Sequence, residues 1–238
     1  MKIIEAQAAL NSSRLQNANY PGRGMVIGLS PSGHELVQVY WTMGRSENSK
    51  NRRLIREDDH IKTVLKDGTL PVEHEDLIVY NASAQAGDIH IISNGRQTDT
   101  IRDYAADGKS FDAALQCWSF ETDPPIFTPR ISGLIDRAAQ QYKLGIVKTI
   151  EQNEALLTRC VYSYQAVQKG FGHCIHTYDL TRITLPFTGE PYWMPLCETA
   201  AENADYYWNL LPADKRVGLY SKHINIATGT VTDTIVNQ

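Results

Sequence analysis

Short apolar runs separated by turn-forming residues set the pattern of this chain. Residues 25–30 and 35–43 are two such runs, and the Pro31-Ser32-Gly33 segment between them predicts a β-hairpin. Further runs have the length and composition of β-strands. They cover residues 61–65, 76–80, 88–93, 130–139, 142–150, 156–166, 173–179, 216–226 and 230–236. The chain is therefore predicted to be rich in strands.

A few segments carry helical signals instead. Residues 1–18 are predicted to form an N-terminal arm or helix. Capping residues and apolar spacing predict three more helices, namely 99–106 after Thr98, 111–118 after Ser110, and 199–211 before Pro212. Strands followed by a helix pair, then strands and another helix, favour an α+β fold with helices layered outside sheets. No linker or repeat divides the chain, so residues 1–238 are predicted to form a single domain.

Composition narrows the functional classes. The net charge of −4 argues against a general nucleic-acid-binding protein, which usually carries a basic excess. No apolar run reaches 18 residues, and Glu5 interrupts the only segment that resembles a signal peptide, so we predict a cytoplasmic protein without membrane contact. The four cysteines are widely spread and are predicted to be reduced thiols.

The loop over residues 44–53 holds the densest group of hydrogen-bond donors in the chain. It follows the predicted strand 35–43 and carries four cationic side chains, two hydroxyls and two amides. Because guanidinium groups match the geometry of phosphate oxygens, this composition suits a phosphate or another oxyanion. A solvated loop without a ligand is the alternative.

Two other sequence patterns lack the structural context that their usual ligands require. Gly22, Gly24 and Gly28 loosely follow a dinucleotide-binding pattern, but that pattern must come after a strand and open a helix. His173 and His176 would point to opposite faces of a strand, which prevents a shared metal site. We therefore predict neither a metal nor a cofactor.

Four further segments combine glycines, arginines and acids with strand boundaries. They are residues 19–24, 80–81, 93–101 and 121–131. Together with the loop 44–53, these segments resemble the archaeal-type IMP cyclohydrolase family, in the family's order, and the resemblance covers about residues 19–140.

This resemblance implies a fold and a reaction. The implied fold is a four-layer αββα sandwich like that of N-terminal nucleophile hydrolases. The implied reaction closes the ring of 5-formamidoimidazole-4-carboxamide ribonucleotide to give inosine monophosphate and water, without metal or cofactor. A small-molecule purine ribonucleotide is then the expected partner, with no nucleic acid and no membrane, and the formation of a homo-oligomer stays open because edge strands often pair between subunits.

Roles for individual residues follow as hypotheses. Glu121 would be the base, Tyr80 the proton donor to the departing oxygen, and Arg23 the stabiliser of the oxyanion. The remaining candidates would bind substrate, with Arg45, Ser46, Asn51 and Arg52 on the phosphate, and Asn94 and Arg130 on the base or ribose. Taken singly, each has an ordinary structural alternative, such as a packed tyrosine, a surface acid or a salt-bridge partner.

The sequence also departs from the family pattern. Gln97 stands where a His is expected beside Thr98, and Pro124 and Pro125 interrupt the acidic segment. These departures leave open a purine-nucleotide-binding protein whose catalysis is altered. An amide hydrolase of the N-terminal nucleophile type is a second alternative, which would require a mature start at Ser12 or Ser13.

Overall fold

A computed structural model describes residues 2–71, 74–182 and 185–238. In chain order the first half contains α1 (Lys2–Gln16), β1 (Gly24–Leu29), β2 (Glu35–Met43), α2 (Glu47–Lys50), β3 (Arg52–Glu57), β4 (His60–Leu65), a 3-10 helix (Glu75–Leu77), β5 (Tyr80–Ala86), β6 (Ile89–Ser93), α3 (Gln97–Ala106) and α4 (Phe111–Gln116). The second half contains β7 (Arg130–Asp136), β8 (Gln141–Ile150), β9 (Asn153–Gln165), β10 (Phe171–His176), β11 (Tyr192–Pro195), α5 (Ala200–Leu210), β12 (Arg216–Asn225) and β13 (Val231–Asn237).

The described strands form two antiparallel sheets. One has six strands in the order β11-β10-β1-β2-β12-β13, and the other has seven strands in the order β3-β4-β5-β6-β7-β8-β9. A large apolar core lies between them and includes Met25, Ile27 and Tyr40 from one sheet with Ile92 and Ile131 from the other. The fold is therefore α+β with two facing sheets, as the sequence predicted.

Two smaller apolar clusters attach helices to the outer faces. Leu15 of α1 and Tyr207 of α5 pack with Trp41 on the six-stranded sheet. On the seven-stranded sheet, Ile101 of α3 and Leu115 of α4 pack with apolar side chains of β6, β7 and β8. The helices thus cover both outer faces, which gives the layer order helix, sheet, sheet, helix.

The two sheets approach each other closely at Gly133 of β7. A Cβ atom built at this glycine would lie 2.4 Å from Ile27 Cδ1 of β1 and 3.0 Å from Met25 Sδ. Real Cβ atoms do not come so near to other heavy atoms, so a larger residue here would force a shift. The lack of a side chain at residue 133 therefore helps to set the separation of the sheets.

Strand direction brings the motif segments to one end of the sandwich. Neighbouring antiparallel strands alternate in direction, so the start of one strand lies beside the end of the next. In the register of the sheets, Gly24 at the start of β1 lies opposite both Trp41 near the end of β2 and His176 at the end of β10. Likewise, Ser93 at the end of β6 is opposite Ser132 near the start of β7. Segments that are distant in sequence therefore meet.

Most predicted elements are confirmed. The β1–β2 hairpin is present, α4 is capped by Ser110, whose Oγ accepts from the Ala113 amide at 3.1 Å, and α5 is capped by Thr199. The N-terminal segment is the helix α1. All four cysteines are free thiols. Over the described ranges, no helix has the length and apolarity needed to cross a membrane.

Some predictions were wrong. Residues 76–80 do not form a strand, because residues 75–77 are a 3-10 helix and Tyr80 begins β5 instead of ending a strand. Thr98 is not a cap, since α3 starts at Gln97 and the Thr98 hydroxyl donates to the Gly95 carbonyl at 2.9 Å. Elements α2, β3, β5 and β11 were not predicted.

Lys222 of β12 is a buried charge between the sheets, and replacing it should stabilise the fold. Only 4% of Lys222 is exposed, and burial lowers its pKa to about 8. Asp233, directly opposite on β13, is bound by Arg56 and by the Tyr220 hydroxyl. We expect Lys222→Met to raise the free energy of unfolding at pH 7 by about 1–3 kcal/mol, measured by urea denaturation.

The pH dependence of the free energy of unfolding shows in which direction Lys222 acts. The unfolded chain holds a proton on Lys222 up to about pH 10.4, whereas the folded chain releases it near pH 8, so this lysine makes stability rise with pH between those values. Lys222→Met should remove that rise. Lys109→Met, on an exposed side chain, is the control and should change stability by less than about 0.5 kcal/mol. A destabilised Lys222→Met variant would contradict the prediction.

Candidate functional site

A pocket of about 480 Å³ opens at the end of the sandwich where the motif segments meet. Its volume is within the usual range for small-molecule sites. Its walls come from the turn before β1, the loop after β2, the loop before β7 and the segment after β10. They are lined by Tyr20, Arg23, Arg45, Ser46, Ser49, Asp123, Ile126, Thr128 and Tyr178.

A buried ion pair reaches this pocket through Arg23, which lines it. Arg23 Nη2 donates to Glu121 Oε1 at 2.6 Å, and the two side chains are only 8% and 4% exposed. Burial raises the pKa of Glu121 in spite of the opposing effect of Arg23, while Glu121 and nearby tyrosines raise the pKa of Arg23. Glu121 is thus a carboxyl group with strengthened basicity, held beside a permanent cation.

The turn that carries Arg23 depends on a glycine. Gly22 has a φ of +77°, and a Cβ atom there would lie 2.1 Å from Thr177 Oγ1 and 2.6 Å from the Tyr178 ring. The Arg23 amide donates to Thr177 Oγ1 at 3.2 Å, and the Thr177 amide donates to the Arg23 carbonyl at 2.8 Å. The backbone of Arg23 is therefore fixed against the end of β10.

Tyr80 is buried between the sheets. Its hydroxyl lies 2.8 Å from the Tyr40 hydroxyl, and it interacts electrostatically with Arg23. Burial and the neighbouring Tyr80 raise the pKa of Tyr40, so Tyr40 keeps its proton. The two phenols interact electrostatically with Arg23, while Tyr80 lines a separate cavity and not the pocket that Arg23 lines.

Arg45 and Ser46 lie at the exposed rim of the pocket. The Arg45 guanidinium carbon is 4.7 Å from the centre of the Tyr20 ring and 5.7 Å from that of Tyr178, which is cation–π geometry. Ser46 is the N-cap of α2, and its Oγ accepts from the Ser49 amide at 3.2 Å. The rim therefore offers a guanidinium and two hydroxyls to a ligand.

Asn51 and Arg52 make contacts of a different kind. Asn51 bonds both backbone groups of Asp67, at 2.8 and 2.9 Å. Arg52 Nη2 donates to the Met43 carbonyl at 2.9 Å, and neither residue lines the pocket. In this arrangement they hold the loop that carries Arg45 and Ser46.

Asn94 and Arg130 belong to a network beside the ion pair. Asn94 Oδ1 accepts from the Ile131 amide at 2.8 Å, and its amide donates to the Pro129 carbonyl at 2.9 Å. Gln97 bridges the two, with its Nε2 donating to Asn94 Oδ1 at 3.0 Å and its Oε1 accepting from Arg130 Nη1 at 3.2 Å. Burial lowers the pKa of Arg130, which also interacts electrostatically with Glu121. Arg130 thus adds positive charge near the carboxylate without lining the pocket.

Six of the nine residues that line the pocket were not assigned roles from the sequence, among them Tyr178, Thr128 and Asp123. Tyr178 lies just after β10, outside the segments that carried the resemblance, and its hydroxyl is 2.6 Å from Thr128 Oγ1. Thr128 in turn donates to Asp123 Oδ2 at 2.5 Å. Thr128 and Asp123 sit within the segment 121–131, but their partnership with Tyr178 joins two distant parts of the chain. Only the position of Tyr178 at a strand end hinted at a place in the site.

Residues tied to the alternative functions do not line this pocket. Ser12 is in the middle of α1, where its hydroxyl donates to the Ala8 carbonyl at 2.9 Å. His173 stacks on Tyr164 with a centroid distance of 3.7 Å, while His176 Nδ1 contacts the Tyr178 carbonyl. Within the described residues, no group of three or more His, Cys, Asp or Glu side chains is placed to hold a metal.

Comparison with known protein families gives a match over most of the chain. A family model described as "IMP cyclohydrolase-like protein" matches residues 20–235. The match includes Arg23 and Glu121, and it extends the sequence resemblance through Tyr178 to β13. No curated protein matches the chain.

Proposed function

Because the chain belongs to the IMP cyclohydrolase-like protein family, we propose that it closes the ring of 5-formamidoimidazole-4-carboxamide ribonucleotide to form inosine monophosphate and water. We also propose that its layered sandwich is of the N-terminal nucleophile hydrolase kind. The observation that carries the proposal is the buried Glu121–Arg23 pair at a pocket rimmed by Arg45 and Ser46. This arrangement offers acid–base chemistry at one place and anion binding at another.

In this reaction an amide nitrogen, which is a poor nucleophile, attacks a formyl carbon. Holding the two groups together lowers the barrier, by up to about 7–11 kcal/mol in well-oriented cases. Glu121 would take the proton from the attacking nitrogen, and Arg23 would face the oxygen that becomes negative. A buried carboxylate with a raised pKa is a stronger base than an exposed one, which suits Glu121 to this step.

To leave as water, the oxyanion needs two protons. Glu121 would return the one taken from the carboxamide nitrogen, and the departing hydroxyl then needs a second, which is balanced by the proton that the formamide nitrogen loses as the double bond forms. Tyr80 is proposed as its donor, with Tyr40 as the adjacent phenol. Arg23 interacts electrostatically with Tyr80. The network beside the ion pair is proposed to contribute to binding the base or ribose. It consists of Asn94, Gln97 and Arg130.

The phosphate is proposed to bind at the rim. Arg45 and Ser46 would contact it directly, and Asn51 and Arg52 would contribute by fixing the loop. We expect Arg45→Ala to raise KM about 10- to 100-fold with little change in kcat, because hydrogen bonds to charged groups contribute about 1.5–3 kcal/mol. Steady-state kinetics of ring closure measure both constants.

Arg53 supplies a matched control for this substitution. Arg53 follows Arg52 in β3, its side chain is exposed, and it does not line the pocket. Arg53→Ala should leave KM within about twofold of wild type, as expected for an exposed charge. An unchanged KM in Arg45→Ala would place the phosphate elsewhere.

A spectrophotometric ring-closure assay on the purified protein tests the function itself. Turnover of the formylated nucleotide, with release of inosine monophosphate, supports the enzyme. Binding of inosine monophosphate without turnover would instead support the nucleotide-binding alternative, in which Gln97 occupies the position of an expected His.

A further inference from the structure

The direction of the hydrogen bonds around Thr128 fixes the role of Tyr178. Thr128 has one hydroxyl hydrogen, and it goes to Asp123 Oδ2 at 2.5 Å, while the Thr128 amide donates to Asp123 Oδ1 at 2.7 Å. The Tyr178 hydroxyl lies 2.6 Å from the same Thr128 oxygen. Because the hydrogen of Thr128 is already committed, the bond between the two hydroxyls must use the hydrogen of Tyr178.

Tyr178 therefore has only an acceptor left. Its one hydrogen points at Thr128, so the oxygen can offer the pocket a lone pair and nothing else. Burial raises the pKa of Tyr178, which keeps the phenol protonated and this polarity fixed. Tyr20, the other phenol of the pocket, donates its hydrogen to the Met43 carbonyl at 3.3 Å.

Glu121 is the second acceptor, a buried carboxylate whose ion-pair partner Arg23 lines the pocket. Its backbone amide donates to the Thr128 carbonyl at 2.9 Å, so the two residues are paired across the loop. Glu121 and Tyr178 also interact electrostatically. Thr128 thus contacts both residues, Tyr178 through its hydroxyl and the backbone of Glu121 through its carbonyl.

We propose that Tyr178 accepts one N–H of the substrate's primary carboxamide while Glu121 accepts the other. This inference rests on the proposed function and names what the pocket selects. A primary carboxamide has two hydrogens on one nitrogen, and two fixed acceptors orient that nitrogen toward the formyl carbon. The carboxamide N–H bond whose hydrogen faces Glu121 then breaks, and the proton goes to the Glu121 carboxylate. The electron pair forms the new bond to carbon, and the formyl oxygen takes the negative charge beside Arg23.

The selectivity is measurable without turnover. The probes are 5-aminoimidazole-4-carboxamide ribonucleotide and the corresponding 4-carboxylate ribonucleotide, bound to the full chain in calorimetry. The carboxylate has no N–H and would place oxygens against two acceptors, so wild type should prefer the carboxamide by about 10-fold or more. Equal binding of the two probes by wild type would overturn the proposal directly.

Two variants assign the preference to Tyr178. Tyr178→Phe removes the acceptor, and Thr128→Val frees the Tyr178 hydrogen to donate to a carboxylate, so the preference should fall about 10-fold or more in both. Tyr104→Phe changes a tyrosine whose hydroxyl contacts Cys117 on the helical layer, and its preference should match wild type. A wild-type preference in folded Tyr178→Phe, or in Thr128→Val if the first does not fold, overturns the assignment.

The ring-closure assay separates this inference from the proposed function. Turnover together with an unchanged preference in the variants means that the function stands and the inference fails. If the variants lose the carboxamide preference but wild type shows no turnover, the inference stands and the proposed function fails. A wild type that binds neither probe contradicts both.

Discussion

Glu121→Gln should abolish most of the ring-closure activity. Glutamine keeps the size of the side chain and an oxygen that can accept from Arg23, but it cannot take a proton. General acid–base catalysis contributes about 10²–10⁴-fold, so kcat should fall by about that factor in steady-state assays. Binding of inosine monophosphate should persist, because the phosphate is proposed to bind at Arg45 and Ser46.

The pH profile tests the same role independently. A base works only when ionised, so activity should fall as the pH drops through the pKa of Glu121. Burial raises that pKa, so the acid limb of kcat/KM should lie at higher pH than an exposed glutamate would give. Glu154→Gln, on an exposed residue of β9, should retain wild-type kinetics. A Glu121→Gln variant with near wild-type kcat would remove Glu121 from the mechanism.

Gly22→Ala should strongly destabilise the fold and the site. Its φ of +77° is unfavourable for alanine, and its Cβ would overlap Thr177 Oγ1 and the Tyr178 ring. Backbone strain and overpacking together should lower the free energy of unfolding by about 2–4 kcal/mol in urea denaturation. Activity should fall as well, because Arg23 is the next residue.

Gly87 provides the control for backbone strain alone. Its φ is +58°, and a Cβ there would meet nothing within 4 Å. Gly87→Ala should therefore cost only the strain, about 1 kcal/mol, and leave activity unchanged. If the two variants lost equal stability, the contacts of Gly22 with Thr177 and Tyr178 would have no energetic weight.

The parts of the fold that the sequence predicted are those with local signals. The β1–β2 hairpin has apolar runs on both sides of a Pro-Ser-Gly turn, and α4 and α5 have serine or threonine caps. In contrast, β5 has small residues at all of its buried positions except Tyr80, and β3 is mostly charged, so neither shows a strand pattern. Their strand structure comes from pairing with neighbours, which is a non-local effect.

The position of the candidate pocket could be predicted to a similar degree, while the roles of its residues stay predictions. Strand ends rich in arginine and glycine identified the segments of Arg23, Arg45 and Glu121, and antiparallel pairing brings these segments together. What the sequence could not give is the partner of each side chain. The same residue types in Asn51 and Asn94 bond backbone groups, and Tyr178 becomes visible only when β10 lies beside β1.

The glycine at position 133 links packing to chemistry. Arg23 precedes a strand of one sheet, and Glu121 lies in the loop leading into β7 of the other, so their ion pair spans the sandwich. A larger residue at position 133 that pushed Ile27 away from β7 would also change the distance that the Arg23 side chain must span to contact Glu121. A substitution in the apolar interior, such as a methyl group added at residue 133, would therefore change the separation of Arg23 and Glu121. The proton affinity of Glu121 would change with it.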